Sequence, residues 1–133
     1  MTRHVVTVCM DDSLKRVREL FAQSGFHHLL VVDKGKLVGV ISDRDLLKHV
    51  SPFVGHELSE RTQDLATLNR RVHQIMSRQL VTCQAITDAA EAARMMLENR
   101  ISCLPVVDET GRPVGIVTCR DLLRRLVMGD EAA

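Results

Sequence analysis

The stretch "GVISDRDLL", Gly39–Leu47, returns as "GIVTCRDLL", Gly115–Leu123, seventy-six positions later. In both copies a glycine is followed after two residues by a hydroxyl residue, Ser42 or Thr118. An arginine, an aspartate and two leucines complete each copy in register. Two occurrences with this agreement mark a duplicated unit, and internal repetition constrains the architecture more than any local signal.

Working outward, a shift of seventy-five places sets "MTRHVVTVC" from Met1 over "MSRQLVTCQ" from Met76, and "LLVVD" (Leu29–Asp33) over "LPVVD" (Leu104–Asp108). One residue is then inserted where "KGKLVGVIS" becomes "ETGRPVGIVT", and the shift stays at seventy-six to the end. Each copy reads as β-α-β-β-α. A short apolar run (Val5–Val8; Leu80–Cys83) comes first. An amphipathic helix follows, with Leu14, Val17, Leu20 and Phe21 at helical spacing in one copy and Ala89, Ala93, Met96 and Leu97 in the other. "DAAE", Asp88–Glu91, fits a capping box at the second of these helices. Two strands joined by "KG" or "ETGR" precede a last short helix carrying "DRDLLKHV" or "CRDLLRRLV".

Strands as continuously apolar as "LLVV" imply burial on both faces, which a lone unit of about 50 residues achieves poorly. The expected organisation is a first repeat over 1–50, a linker over 51–71, a second repeat over 72–128 and a tail over 129–133, with the two repeats packed on each other. The linker reads as helical, because Leu58, Leu65, Leu68, Val72, Ile75 and Met76 fall at helix-compatible spacing after a Pro-Gly break.

Composition narrows the function. The 133 residues include 45% apolar and 26% charged side chains, the balance of a folded domain. No apolar run approaches the roughly 20 residues of a membrane helix, and the first residues do not resemble a secretory signal, so a cytoplasmic location is expected. The net charge of +1 supplies no field for a polyanion, and with no Trp or Tyr and three Phe there are no stacking platforms for single strands. Nucleic acid is therefore not an expected partner. Cys9, Cys83, Cys103 and Cys119 form no CxxC and read as small buried apolar residues. His27 and His28 are adjacent, so on a strand they point to opposite faces and make a poor metal pair. No cysteine has the histidine and orienting partner of an activated nucleophile, so no catalytic residue is assigned. The run Arg120, Arg124, Arg125 reads as a solvated helix face, and Met76, Met95 and Met96 as packing residues.

The repeated motif carries the chemistry that remains. Ser42-x-x-Asp45 and Thr118-x-x-Asp121 at a strand-to-helix junction are capping signals in the first instance. The glycine upstream permits a close backbone approach. A hydroxyl at a helix N-terminus suits a phosphate, and an aspartate one turn further on can accept the hydroxyls of a ribose.

The pair "LLVVDKGKLVGVISDRDLL" and "LPVVDETGRPVGIVTCRDLL", each preceded by a β-α segment, resembles the CBS domain, and the tandem is similar to a Bateman module. That resemblance implies an α/β fold of tandem β-α-β-β-α repeats packed by pseudo-twofold symmetry, with two composite clefts for adenine nucleotides (AMP, ADP or ATP) or S-adenosylmethionine. It also implies frequent homodimers. Carried onto this sequence, it places Ser42, Asp45 and Val40 in one cleft and Thr118, Asp121 and Ile116 in the other. Arg100, Ile101, Ser102, Cys103 and Pro105 are expected at the Asp45 cleft, and the matching segment of the first copy, with Phe26 and His28, at the Asp121 cleft. Gly25 stands where Arg100 does and Leu30 where Pro105 does, so the Asp45 cleft is expected to be the stronger.

The expected function is a regulatory or sensory module that binds adenine nucleotide, has no catalytic cofactor or activity of its own, and acts on an effector protein not identified by the sequence. A dimerisation scaffold with vestigial clefts and an S-adenosylmethionine sensor are the alternatives. Helices beginning near Ser13 and Asp88 are the expected dimer surface.

Overall fold

The computed structural model describes residues 5–49 and 67–129. In chain order these form β1 (Thr7–Cys9), α1 (Leu14–Ser24), β2 (His28–Asp33), β3 (Lys36–Ser42) and α2 (Asp43–His49). A 3-10 turn (Thr67–Asn69) and α3 (Val72–Ile75) follow, and then α4 (Ala89–Asn99), β4 (Cys103–Val107), β5 (Pro113–Thr118) and α5 (Cys119–Met128). The architecture is α/β, with the β-α-β-β-α order of the first copy complete. The linker expected as a helix over 51–71 lies mostly outside the described residues; its end is the 3-10 turn.

The described residues divide into two compact units. One contains 7–33, 38–49 and 67–78. Its strands run in the order β1-β2-β3, with β1 parallel to β2 in the register Thr7↔Leu30, Val8↔Val31, Cys9↔Val32. Leu29, Leu30 and Val31 are all fully buried, as a central strand covered on both faces requires. Each contributes roughly 1.5–3 kcal/mol of burial. Because both faces of β2 are apolar, its own pattern does not set the register. The turn and β3 do. Lys34 and Gly35 both have positive φ, the pattern of a two-residue hairpin turn. In β3, Leu37, Gly39 and Ile41 are buried while Val38, Val40 and Ser42 are half-buried. A slip of one residue would exchange these faces.

Residues 72–78 open the second sequence repeat, yet they are built into this first unit. Val72 and His73 donate backbone hydrogen bonds to the carbonyls of Asp12 and Met10, and Val40 and Ser77 exchange a pair at 3.0 and 2.8 Å. Val72, Ile75 and Met76 are buried there. The close approach that Gly39 permits is made by the protein itself: a Cβ at this position would stand 2.7 Å from Met76 Sδ and 3.0 Å from the Ser77 carbonyl oxygen.

The other unit contains 5–6, 34–37 and 79–129. Here β4 and β5 pair antiparallel, Cys103↔Thr118 through Val106↔Gly115, and Met96, Ala92, Leu104, Val106 and Cys83 form a buried cluster. Asp88 caps α4, its Oδ1 accepting from the Glu91 N–H at 2.8 Å, but the expected capping box is only half formed, because the Glu91 carboxylate pairs with Arg94. The strand expected over Leu80–Cys83 is reduced to a single parallel bridge, Cys83↔Val106. Proline accounts for one of the two lost rungs. In the first copy the rung Thr7↔Leu30 draws on the N–H of the β2 residue, and the counterpart of Leu30 is Pro105, which has no N–H to give.

The cysteines depart from expectation in part. Cys83 and Cys103 are buried, but Cys9 and Cys119 are exposed. Cys9 shares the outward parity of Thr7 on β1, and Cys119 is the first residue of α5.

The substitution Gly39→Ala tests the packing at residues 72–78. Overpacking against a buried methionine and a fixed carbonyl should cost about 1–3 kcal/mol and lower the melting midpoint by several degrees. An unchanged midpoint in thermal denaturation would contradict the docked position of Met76 and Ser77.

Candidate functional site

The two S/T-x-x-D segments adopt the same local structure. The Asp45 N–H donates to Ser42 Oγ at 3.1 Å, and the Ser42 N–H donates to Asp45 Oδ2 at 2.9 Å. In the second copy the Asp121 N–H donates to Thr118 Oγ1 at 3.2 Å and the Thr118 N–H to Asp121 Oδ2 at 2.9 Å. Each is a reciprocal capping box, so the capping role read from the sequence is realised in both copies. The cap engages one carboxylate oxygen. Oδ1 of each aspartate takes no part in it and remains an acceptor, in a side chain that is half-buried.

The apolar residues expected beside these caps share a face with them. Val40 and Ser42 lie two apart on the half-buried face of β3. In the other unit, the pairs Pro105↔Ile116 and Cys103↔Thr118 put Pro105, Ile116, Cys103 and Thr118 on one face of the β4-β5 ribbon. Phe26 and Ile101 are half-buried and stand two residues ahead of β2 and β4; Ser102 is exposed.

Arg100 and Gly25 occupy equivalent places, each just after a helix. Gly25 follows α1 with φ 72°, and Arg100 follows α4 with φ 55° and ψ 44°. Left-handed backbone costs a side-chain-bearing residue roughly 1–2 kcal/mol and glycine almost nothing. The second copy thus holds an arginine where the first shows that glycine serves the backbone better.

Sequence reasoning missed a copy-specific pair at the start of α2. His27 Nδ1 lies 2.8 Å from Asp43 Oδ2, and the Asp43 N–H donates to the His27 carbonyl at 3.0 Å. The second copy keeps the backbone bond, Cys119 N–H to Ser102 carbonyl at 3.0 Å, with Ser102 and Cys119 in the places of the two ionisable residues. The aligned copies held the signal, since His27 and Asp43 stand opposite Ser102 and Cys119. Their separation of sixteen residues hid it. Neighbouring His28 is half-buried in β2, and burial pushes its pKa below the usual 6.5, opposed by the charge of Asp43. Burial, with a smaller effect of Cys119, pushes the Cys103 thiol up to about 11, which keeps it protonated and unreactive at neutral pH. Among the described residues no group of three or more His, Cys, Asp or Glu side chains is arranged to hold a metal, and no helix is long and apolar enough to cross a membrane.

A tandem α/β repeat with a capping box at each strand-to-helix junction defines a class, and comparison with known families assigns it: the chain belongs to the CBS domain family, whose model matches residues 1–52 and 72–128. The protein MJ1225 of Methanocaldococcus jannaschii is 32% identical over 124 residues, covering 93% of this chain and 44% of that protein. This chain therefore spans less than half the length of that relative. The crystal structure of MJ1225 superposes with a TM-score of 0.80 over 95% of this chain. The CBS domain pair of protein MJ0100, solved with methylthioadenosine and S-adenosyl-L-methionine, matches at 28% identity with a TM-score of 0.77, covering 94% of this chain and 93% of that one. The cytosolic domain of the Mg2+ channel MgtE, solved with ATP, matches at 32% identity with a TM-score of 0.71, covering 92% of this chain and 45% of that one.

The half-buried His28 makes stability depend on pH. Its folded pKa is depressed, so the stability it contributes is fully present above the unfolded value near 6.5 and is lost as pH falls through the lower folded value. Urea unfolding of the wild type and of His28→Gln at a series of pH values should show a steeper loss in the wild type below about pH 6.5. Parallel curves would remove His28 as the cause.

Proposed function

We propose that this chain is a regulatory module that binds an adenosine-bearing ligand, AMP, ADP or ATP in the first instance, at its two S/T-x-x-D segments, without catalysis of its own. The observation that carries the reading is the pair of reciprocal capping boxes. Each fixes a hydroxyl and an aspartate with one oxygen left over, the arrangement that can meet a phosphate and a ribose. The adenosine ligands of MJ0100 and the ATP of MgtE support the class of ligand. With few aromatic side chains, the base would be held by aliphatic ones, among them Val40, Ile116 and Pro105.

Following the resemblance, the ligand set of the Asp45 segment includes Arg100, Ile101, Ser102, Cys103 and Pro105, and that of the Asp121 segment includes Phe26 and His28. The backbone cost retained at Arg100 supports a role for its side chain, since strain of this kind persists where function holds it. The Asp45 segment is therefore the stronger of the two. Ligand acts by favouring one arrangement of the protein over another, and only that difference can shift an effector protein. The same reading holds that two copies pair, and it places the protein in the cytoplasm.

The test is a thermal-shift and calorimetric screen of AMP, ADP, ATP and S-adenosylmethionine. A ligand at a hundred times its dissociation constant stabilises by about 2.7 kcal/mol, which moves the midpoint by several degrees. Asp45→Asn and Asp121→Asn separate binding from folding, because an amide oxygen can still accept the capping N–H while the charge is lost. Losing a charge-assisted contact of roughly 1.5–3 kcal/mol should weaken the tighter event about ten- to a hundred-fold in Asp45→Asn and largely spare it in Asp121→Asn. Arg100→Gly should weaken a phosphate-bearing ligand while leaving the fold as stable or more so. No shift with any of the four ligands at millimolar concentration would end the reading.

A further inference from the structure

The strand-to-helix junction of the first copy holds two histidines among charged neighbours. His27 Nδ1 lies 2.8 Å from Asp43 Oδ2, and His28 opens β2. Aligned with His27, His28 and Asp43 in the second copy are Ser102, Cys103 and Cys119, so the histidines belong to one copy alone.

The backbone fixes which way His28 faces. Its counterpart Cys103 pairs with Thr118, next to the bond from the Cys119 N–H to the Ser102 carbonyl. The same bond runs from the Asp43 N–H to the His27 carbonyl, which puts His28 opposite Ser42, on the half-buried face that also carries Val40. Burial disfavours a charged ring there, Asp43 and Asp45 favour it, and His27 and Arg44 oppose it. All four neighbours come from the residue before β2 and the first turn of α2.

The charge of this junction therefore depends on protons. With both rings neutral, Asp43 and Asp45 against Arg44 give a net −1, which repels a phosphate; with both protonated the sum is +1. At the second junction Asp121 and Arg120 sum to zero. In the functional reading the ligand set of the Asp45 segment has a permanent cation in Arg100. The set that includes His28 has Gly25 in the place of that arginine. A proton on His28 can supply the missing charge.

We infer that the ligand set containing His28 selects by charge: it takes an adenosine ligand with a 5′-phosphate when His28 is protonated, and an adenosine whose 5′ group is a neutral thioether or a sulfonium gains nothing from that proton. The inference rests on the functional reading and adds the ligand charge and the regulation of one of its two sites. His27 is a positioning residue, holding the Asp43 carboxylate near His28. A phosphate beside the ring favours the imidazolium, and by reciprocity the imidazolium tightens the phosphate by the same factor. The added affinity is fully present below the depressed pKa of the free protein, and it is lost as pH rises through the higher value in the complex.

The test uses NMR of the histidine ring signals and calorimetry on the full chain, with AMP, methylthioadenosine and S-adenosylmethionine. Saturating AMP should move the titration midpoint of the His28 ring upward, and methylthioadenosine should leave it in place. Between pH 8 and pH 6, one AMP binding event should tighten about ten-fold more in the wild type than in His28→Gln; the titration of AMP's own phosphate is common to both and cancels. Methylthioadenosine, the same nucleoside without the phosphate, should bind wild type and variant alike at both pH values. S-adenosylmethionine should bind no more tightly at pH 6 than at pH 8. Equal pH slopes for AMP in wild type and His28→Gln would overturn the inference and leave the functional reading standing. Loss of methylthioadenosine binding in parallel with AMP would overturn it too, because His28 would then only support the fold. No binding of any of the three at either pH would overturn both readings.

Discussion

The hydrogen-bonded exchange between a hydroxyl residue and the aspartate three places on is the constraint on which the two halves depend. At Ser42–Asp45 and Thr118–Asp121 it satisfies two backbone donors at once, ends a strand and starts a helix in the space of four residues. Everything placed relative to that junction inherits its precision: Val40 two residues before it on the same strand face, Leu46 turned into the core one residue after it, and the unengaged carboxylate oxygen held in a half-buried position. A motif whose structural role is this complete needs no ligand to exist. In the proposed function, ligand binding adds itself to a local structure that folding already requires, so that one short segment would serve both.

Around this shared element the copies have diverged, and the differences are physical. Pro105 in place of Leu30 removes a backbone donor and with it one rung of the neighbouring parallel ladder, which keeps a single bridge. Arg100 in place of Gly25 retains a left-handed backbone at a cost the first copy avoids. His27 and Asp43, in place of Ser102 and Cys119, add a titratable pair at the head of α2 that α5 lacks. The first copy thus carries glycine at this helix end and the His27–Asp43 pair, and the second carries the left-handed arginine and the uncovered apolar helix. Duplicated folds commonly keep the element that folds them and vary what surrounds it, and function lives in those grafted details.

The secondary structure and the caps were legible in the sequence because each rests on local pattern: alternation in "KLVGVIS", continuous apolar runs in "LLVV" and "LPVV", and S/T-x-x-D at the junctions. The hairpin turn at Lys34–Gly35 was equally plain. What escaped is long-range. That Val72–Ser77 would pack beside Gly39 is written in no periodicity; the glycine signalled a close approach but not whose backbone makes it. The exposure of Cys9 and Cys119 depends on strand parity and helix phase, not on residue type. Nor does an amphipathic pattern reveal whether its apolar face is covered, and in α5 none of the side chains is buried.

The central claim is that the capping segments themselves receive the ligand. The most direct measurement is the change in backbone amide chemical shifts by NMR as ATP, AMP or S-adenosylmethionine is titrated into the labelled protein. The account expects the largest saturable changes at residues 40–45 and 116–121, with the Ser42 and Thr118 amides still protected from exchange because the caps persist. Changes centred elsewhere, or loss of that protection on binding, would contradict it.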